Sequence, residues 1–368
     1  MTFRLLFTYM PLVAGFLVVL GLVFPRCRQL RLRTRAQAVW ALVVLACCSK
    51  FVFYEALGGD AFNPDLPWPV MWAWNWAYSG AMLFVAFTLL GYFVRSRVKL
   101  VVIPVLAWGL AAVGLWSGLR LPDVVETELG FPGLPPALDG YRILQLSDLH
   151  ISASVRRWRT EGIVARANAA VADLIVVTGD IVDGEPKLLA DDVEPIRNLH
   201  SKDGVYFITG NHESYGPWGL WNRLYTEWNL RFLHDECVFP RPGLALGGFD
   251  DAQTWRFKPD DGSDVATLFA AATNGEFRVL LEHQPGFART NFASGRVDLQ
   301  FSGHTHGGIM PVLASLVARC NGGFLRGAYP MAGEGAWLYV SPGSGQWAGF
   351  PVRFLDPSEI TLVTLRRR

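Results

Sequence analysis

Acidic residues are scarce at the start of this 368-residue chain. The first 118 residues contain three Asp or Glu and ten Lys or Arg, which gives this part a net charge of +7. The rest of the chain contains 29 Asp or Glu and 23 Lys or Arg, a net charge of −6, and the two parts sum to +1. Charged residues make up only 18% of the chain and hydrophobic residues 51%, a composition that excludes a disordered protein. The uneven charge indicates two parts that face different surroundings.

Cysteine is scarce as well, and basic clusters are few. Five cysteines in the whole chain exclude a small disulfide-stabilised fold, and whether Cys237 and Cys320 pair is left open by their spacing. The only dense basic clusters lie between hydrophobic runs. They therefore give no support for nucleic-acid binding, and we expect no nucleic-acid partner.

Four long apolar runs occupy residues 1–118, at 5–24, 36–57, 70–93 and 100–118. Each run is close in length to a helix that crosses a bilayer, which takes about 20 residues. The four runs therefore predict four transmembrane helices. A cleaved signal peptide is disfavoured because Arg26 and Arg28 follow the first run without a small-residue cleavage site. A transport pathway normally needs paired charges inside the membrane, and Lys50 is the only ionisable residue deep enough in these runs to suggest one. The runs are therefore interpreted as an anchor.

The loops between the runs differ in charge. The first and third loops carry the basic residues Arg26, Arg28, Arg31, Arg33, Arg35, Arg95, Arg97 and Lys99. The second loop has only Asp60 and Asp65. Because positively charged loops stay in the cytoplasm, this pattern predicts a multi-pass membrane protein with both termini and the following domain outside.

The pattern changes after the last run. Proline and glycine between residues 119 and 140 predict a linker. Beyond it, short apolar runs predict strands at 142–147, 174–178, 205–209, 244–248, 278–282, 298–302, 337–340 and 360–365. One helix is predicted after the first of these strands and ends at about residue 172. Another is predicted over residues 186–200, between the second and third strands. Strands that alternate with helices predict an α/β domain over residues 141–368.

Polar residues follow five of these strands, and in α/β sheets such positions converge. They are Asp148 and His150, Asp180 and Asp183, Asn211 with His212 and Glu213, Glu282 and His283, and His304 and His306. Carboxylate, amide and imidazole ligands suit divalent Mn, Fe or Zn, and the absence of cysteine argues against a structural zinc site. The candidate ligands exceed the needs of one ion, so we expect two ions that share a carboxylate.

These motifs resemble the calcineurin-like metallophosphoesterase superfamily. Its five blocks, Asp-x-His, Gly-Asp-x-x-Asp, Gly-Asn-His-Asp/Glu, a lone His and Gly-His-x-His, occur here in order over residues 141–368. The tail that begins Gly349-Phe350-Pro351-Val352-Arg353 is similar to the membrane-associated branch, in which some members hydrolyse the pyrophosphate of a lipid-sugar nucleotide. The resemblance implies a β-sandwich flanked by helices, an α/β/β/α arrangement.

The resemblance also implies roles for individual residues. The first ion would be held by Asp148, His150, Asp180 and His306. The second would be held by Asp180, Asn211, His283 and His304, so that Asp180 bridges the two. A hydroxide between the ions would attack phosphorus, while His212 protonates the leaving oxygen and Asp183 orients His212.

The sequence thus predicts a membrane-anchored metallophosphoesterase, an enzyme that hydrolyses a phosphoester or phosphoanhydride. The anchor favours a lipid-linked phosphate substrate at the bilayer. Two alternatives stay open: a phosphodiesterase or phosphatase for a soluble substrate, and a metal-stabilised receptor domain without turnover. Two local features are open too. Glu213 is either a solvated helix-start residue or a support for the site, and the apolar segment 309–318 is either buried core or a lip that contacts lipid.

Overall fold

The structure is a computed structural model of the chain. It describes residues 9, 12–13, 15–17, 19–20, 24–29, 34–56, 66–90, 99–251, 264–308, 311–331, 335–354 and 356–368. Two compact units are present. One comprises Met1–Ser117 with Ala348–Val352, and the other comprises Gly118–Trp347 with Arg353–Arg368.

The first unit is helical. Its helices are α1 (Phe24–Gln29), α2 (Thr34–Cys48), α3 (Lys50–Ala56), α4 (Trp68–Leu90) and α5 (Lys99–Leu119). Within the described ranges, one helix is long and apolar enough to cross a membrane, namely α5 over Val102–Leu119. The predicted second span comprises α2 and α3, with Ser49 between them. The hydroxyl of Ser49 donates to the carbonyl of Ala46 at 2.6 Å, and helical backbone hydrogen bonds from Ser49 N–H to Leu45 O and from Phe53 N–H to Ser49 O continue across it.

Parts of the sequence prediction lie outside the described residues. Most of the predicted first span, 5–24, is among them, and so are the loop positions Arg31, Arg33, Asp60, Asp65, Arg95 and Arg97. The four-span arrangement therefore stays a prediction.

The second unit contains two six-stranded mixed sheets. Their strands are β1 (Asp123–Phe131), β2 (Arg142–Leu146), β3 (Leu174–Thr178), β4 (Val205–Ile208), β5 (Arg231–Phe232), β6 (Glu236–Arg241), β7 (Leu244–Gly248), β8 (Phe277–Leu281), β9 (Leu299–Ser302), β10 (Gly327–Pro330), β11 (Trp337–Val340) and β12 (Glu359–Arg367). The first sheet has the order β1-β12-β2-β3-β4-β5, and the second has β10-β11-β9-β8-β7-β6. Strands β2, β3 and β4 are parallel neighbours, as are β8 and β9.

Helices pack on the outer faces of the two sheets. They are α6 (Arg157–Ala169), α7 (Pro186–Val193), α8 (Trp218–Glu227), α9 (Val265–Leu268) and α10 (Ala288–Ala293). A further helix, α11 (Pro311–Cys320), follows the turn His306–Gly308. In β3, Leu174 and Val176 belong to a core between the sheets, whereas Ile175 and Val177 pack with the helices outside. Both faces of this strand are buried, so its sequence is continuously apolar rather than alternating. The predicted α/β architecture is confirmed, with two sheets and flanking helices.

The prediction of a linker over residues 119–140 is wrong in its central part. Residues Asp123–Phe131 form β1, which pairs in parallel with β12 along its whole length. Most of its first six residues are exposed or half-buried, because β1 lies at the edge of the sheet. An edge strand with polar, exposed positions lacks the apolar signal by which the inner strands are recognised.

Two further expectations are resolved by the structure. The helix predicted over 186–200 ends as an α-helix at Val193 and continues as a 3₁₀ segment, Glu194–Asn198, because Pro195 cannot donate a helical hydrogen bond. Cys237 and Cys320 are both free thiols.

Candidate functional site

The carboxyl ends of five strands bring the predicted site residues together. β2, β3 and β4 are followed by Asp148, Asp180 and Asn211, and β8 and β9 by His283 and His304. Because parallel neighbours end at the same edge, the loops after them meet there. The two sheets thus each supply part of one buried cluster.

The first group of ligands consists of Asp148, His150 and His306, which lie close enough to hold one ion. The Nε2 atoms of His150 and His306 are 3.1 Å apart. His306 Nε2 lies 3.5 Å from Asp148 Oδ1, and His150 Nε2 lies 3.7 Å from Asp180 Oδ2. Two imidazole nitrogens at this distance repel unless a proton or a cation lies between them, so the geometry fits a shared cation.

The second group consists of Asp180, His283 and His304. His283 Nε2 lies 3.2 Å from Asp180 Oδ2, the same carboxylate oxygen that faces His150. The predicted bridging position of Asp180 therefore agrees with its contacts to both groups.

His283 and Asn211 each make a hydrogen bond through the nitrogen that is not proposed to bind metal, and these bonds orient the two side chains toward the second group. His283 Nδ1 donates to the carbonyl of Thr178 at 2.7 Å, which leaves the lone pair on Nε2. Asn211 Nδ2 donates to Tyr215 Oη at 3.2 Å, while Asn211 Oδ1 is buried without a hydrogen-bond partner among the described residues. A fixed tautomer and a buried acceptor without a donor are features of metal ligands. The residues present therefore fit divalent cations.

Asp183 links a ligand to the predicted acid. Its carboxylate accepts from His212 Nδ1 at 2.6 Å and lies 3.1 Å from His150 Nδ1. Burial alone would lower the pKa of His212, but the carboxylates of Asp183 and Asp180 outweigh it and raise that pKa to about 9. Burial would raise the pKa of Asp183, and the two histidines outweigh it and hold that pKa below its usual range. The pair therefore favours a protonated imidazole.

Glu213 is a buried support for the site rather than a solvated residue, with 3% exposure. Its Oε2 accepts from the backbone N–H of Asp180 at 2.9 Å and of Gly210 at 2.6 Å, and its Oε1 accepts from Ile181 N–H at 2.8 Å. Burial and the nearby Asp180 raise its pKa to about 7. Glu213 thus ties the loop after β4 to the loop after β3.

The backbone at the candidate ligands is unusual. Among the described residues, eight non-glycine residues have positive φ, and five of them are Asp148, His150, Asp180, His304 and His306. Such conformations are uncommon outside glycine and concentrate at functional sites. This concentration supports a functional centre independently of the side-chain chemistry.

Sequence reasoning missed two aromatic neighbours of the site. The ring of Tyr215 lies 5.0 Å from that of His212, and the ring of Trp347 lies 6.3 Å from His212 and 6.2 Å from His306. The signal for Trp347 was available, because its loop follows β11, which runs parallel to β9 and so ends at the same edge. Tyr215 gives no comparable signal.

Comparison with known proteins agrees with this geometry. The sequence profile described as calcineurin-like phosphoesterase matches residues 141–308. The chain is 33% identical over 268 residues to a "transmembrane protein with metallophosphoesterase domain" of Danio rerio, covering 70% of this chain and 60% of that protein. It is also 33% identical over 254 residues to an uncharacterised metallophosphoesterase of Helicobacter pylori, covering 68% and 66% respectively.

These similarities cover only part of the related proteins. The alignments with the transmembrane relatives of Danio rerio and Bos taurus each span 60% of those proteins. Among solved structures, the NAD nucleotidase of Haemophilus influenzae superposes with a TM-score of 0.38 and 16% identity, covering 57% of this chain and 45% of that one. A similarity at that level carries no argument about function.

Proposed function

Residues 141–308 form a domain of the calcineurin-like phosphoesterase family, and on this premise we propose that the protein is a phosphohydrolase that uses two divalent metal ions. Asp148, His150, Asp180 and His306 would hold the first ion. Asp180, Asn211, His283 and His304 would hold the second. The observation that carries the proposal is the convergence of six of these side chains on two groups that meet at the Asp180 carboxylate. The seventh, Asn211, has a buried Oδ1 without a hydrogen-bond partner among the described residues.

The ions, of which Mn, Fe and Zn suit these ligands, supply Lewis-acid chemistry that activates water and offsets phosphoryl charge. The chain's own residues handle the proton. Asp183 accepts from His212 Nδ1, so His212 Nε2 is the atom that donates to the leaving oxygen. Its raised pKa of about 9 keeps this proton in place at neutral pH.

The overall reaction is hydrolysis of a phosphoester or phosphoanhydride. Water adds to phosphorus, the bond from phosphorus to the leaving oxygen breaks, and that oxygen takes the proton of His212. The proton that the water loses then replaces the one that His212 has given up. The buried carboxylates of Asp148 and Asp180 leave the site too negative for a phosphate on its own. Bound cations reverse this, which is why substrate binding should depend on metal.

Residues 1–118 are proposed as a four-helix anchor in the bilayer, with the phosphoesterase domain outside the cytoplasm. The names of the transmembrane relatives, the apolar helix α5 and the loop charges support this. Cys320 is an exposed thiol and reports the orientation. A membrane-impermeant maleimide should label it in intact cells and label the Cys320→Ser variant less. Labelling of Cys320 only after the cells are opened would contradict the orientation.

The proposed substrate is a lipid-linked phosphate, such as a lipid-sugar nucleotide. Helix α11 supports this choice because it begins three residues after the 3₁₀ turn His306–Gly308, and Leu316 on it is 60% exposed. This exposure favours the lip interpretation of residues 309–318 over buried core; positions 309 and 310 lie outside the described residues. Apolar side chains that remain exposed beside a site suit contact with an acyl chain.

Hydrolysis of bis(p-nitrophenyl) phosphate by the full chain in detergent with Mn²⁺ tests the chemistry. Loss of a residue that hydrogen-bonds a metal ligand already costs about 10- to 100-fold, so loss of a bridging ligand in Asp180→Asn should cost more than about 100-fold. Asp191→Asn, on the exposed side of α7, is the matched control and should keep activity. Comparable activity in the two variants would overturn the assignment.

A further inference from the structure

Two aromatic side chains flank the proposed acid. Tyr215 lies 5.0 Å from His212, with ring planes 58° apart. Trp347 lies 6.3 Å from His212 at 86°, and its ring is within 25° of parallel to His306. Tyr215 and Trp347 are half-buried, and the His212 side chain is 10% exposed. The proposed acid is therefore bordered by two rings, those of Tyr215 and Trp347, which we name the aromatic pair.

Both members of the pair are fixed by the site itself. The backbone N–H of Tyr215 donates to the His212 carbonyl at 3.0 Å, and its hydroxyl accepts from Asn211 Nδ2. Trp347 stands two residues after Gly345, whose N–H donates to the Asp148 carbonyl at 3.0 Å. Tyr215 thus bonds directly to a candidate ligand and to the acid, and Trp347 lies two residues from a backbone bond to a candidate ligand. Rings held in this way are preorganised and lose little entropy when they bind.

The position of the pair determines what it can touch. His212 delivers its proton to the leaving oxygen, so the group attached to that oxygen must lie at His212. A ring bordering His212 can consequently contact the leaving group. Aromatic rings interact best with other planar rings, through offset stacking or edge-to-face contact.

We propose that Tyr215 and Trp347 form a leaving-group subsite for a planar aromatic ring within a few bonds of the leaving oxygen. An aryl ester or a nucleoside would present such a ring. This inference rests on the proposed hydrolysis and on the assignment of His212 as its acid. It adds a substrate class that the metal ligands do not define.

Matched phosphodiesters test the subsite with the full chain in detergent and Mn²⁺. Methyl benzyl phosphate and methyl cyclohexylmethyl phosphate release alcohols of similar size and acidity, but only benzyl alcohol has a planar ring. The wild type should show the higher kcat/KM for the benzyl ester. Trp347→Leu should lower kcat/KM for that ester by about ten-fold, the scale of one stacking contact, and lower it much less for the cyclohexylmethyl ester.

Further variants keep the test decisive. Trp347→Phe retains a ring and should retain most of the benzyl preference. Tyr215→Leu should also reduce the benzyl preference, and it takes the place of Trp347→Leu in the test if that variant does not fold. Trp158→Leu removes a tryptophan that is 46% exposed on α6 and should leave both values unchanged. Nucleoside monophosphate methyl esters then distinguish a nucleoside from a simple aryl group.

Two results would overturn the subsite. One is a wild type that hydrolyses both esters equally well, and the other is an equal loss on both esters in Trp347→Leu and Tyr215→Leu. These outcomes differ from failure of the proposed function, in which neither ester nor bis(p-nitrophenyl) phosphate is hydrolysed.

Discussion

Replacement of Glu213 by glutamine tests how the backbone supports the candidate ligands. The buried carboxylate accepts three backbone N–H groups, those of Asp180, Ile181 and Gly210. Glutamine has the same shape but only one oxygen acceptor, because its other terminal atom is an N–H donor. The substitution therefore changes hydrogen bonding and charge while it leaves the packing in place.

The expected cost follows from the three hydrogen bonds. If the amide oxygen takes the place of Oε2, it can still accept from Asp180 and Gly210, and the amide NH₂ then faces the N–H of Ile181. One buried donor is left without an acceptor, at about 1–3 kcal/mol. The opposite orientation leaves two donors unpaired and costs about twice as much. The first orientation should therefore prevail.

Hydrogen exchange measures this cost locally. At about 1.4 kcal/mol for each factor of ten, exchange in the segment 179–182 should be about 5- to 150-fold faster in Glu213→Gln. Affinity for Mn²⁺, measured by calorimetry at pH 8, should fall as well, because Asp180 is in the loosened loop. Glu161→Gln, on the exposed side of α6 and bonded to Arg157 at 2.8 Å, is the control. Unchanged exchange and unchanged Mn²⁺ affinity in Glu213→Gln would refute the supporting role.

Three other predictions concern metal binding and stability. Gly303→Ala should weaken Mn²⁺ binding in calorimetry, because a Cβ there would overlap the Asp148 carboxylate; Gly219→Ala, whose Cβ meets no atom within 4 Å, should bind as the wild type does. Removal of metal with EDTA should abolish hydrolysis and lower the melting temperature, and added Mn²⁺ should restore both, since the ligands are buried acids and imidazoles. Glu128→Gln removes the exposed ion pair with Arg366 at 2.6 Å and should leave the melting temperature unchanged.

The inner part of the fold could be predicted because its strands are buried on both faces. β3, β7 and β11 coincide with the runs at 174–178, 244–248 and 337–340, and the other predicted strands differ by one or two residues at their ends. The convergence of Asp148, Asp180 and His304 followed from the rule that loops after parallel strands meet at one edge. Continuous apolar runs and strand-end polar residues are both properties that the sequence shows directly.

The elements that were missed lie at sheet edges or beside polar neighbours. β1 and β10 are the outermost strands of their sheets, and few of their residues are buried, so hydrophobic patterning does not mark them. The sequence left the role of Glu213 open between a solvated residue and a support for the site, because the groups that donate to its carboxylate are backbone N–H groups. Side-chain chemistry in a sequence does not reveal which amides a fold turns toward a carboxylate.

Backbone conformation at the candidate ligands is the property of the site that is hardest to predict from the sequence. It also affects how the site is stabilised. A left-handed conformation costs roughly 1–2 kcal/mol for a non-glycine residue, although Asp and His tolerate it better than most. Five such residues at one site amount to about 5–10 kcal/mol at most, which is comparable to the net stability of a domain.

Backbone hydrogen bonds offset this strain. Asp148 N–H donates to Gly179 O and His150 N–H donates to Asp180 O, each at 3.0 Å, and His304 N–H donates to the Asp148 carboxylate at 3.0 Å. These bonds join the loops of both sheets through the ligands themselves, so they restrain the positions of the ligands. Such preorganisation means that a metal gains affinity without having to order the loops. Substitutions that loosen these loops should therefore weaken metal binding even where every ligand side chain is kept.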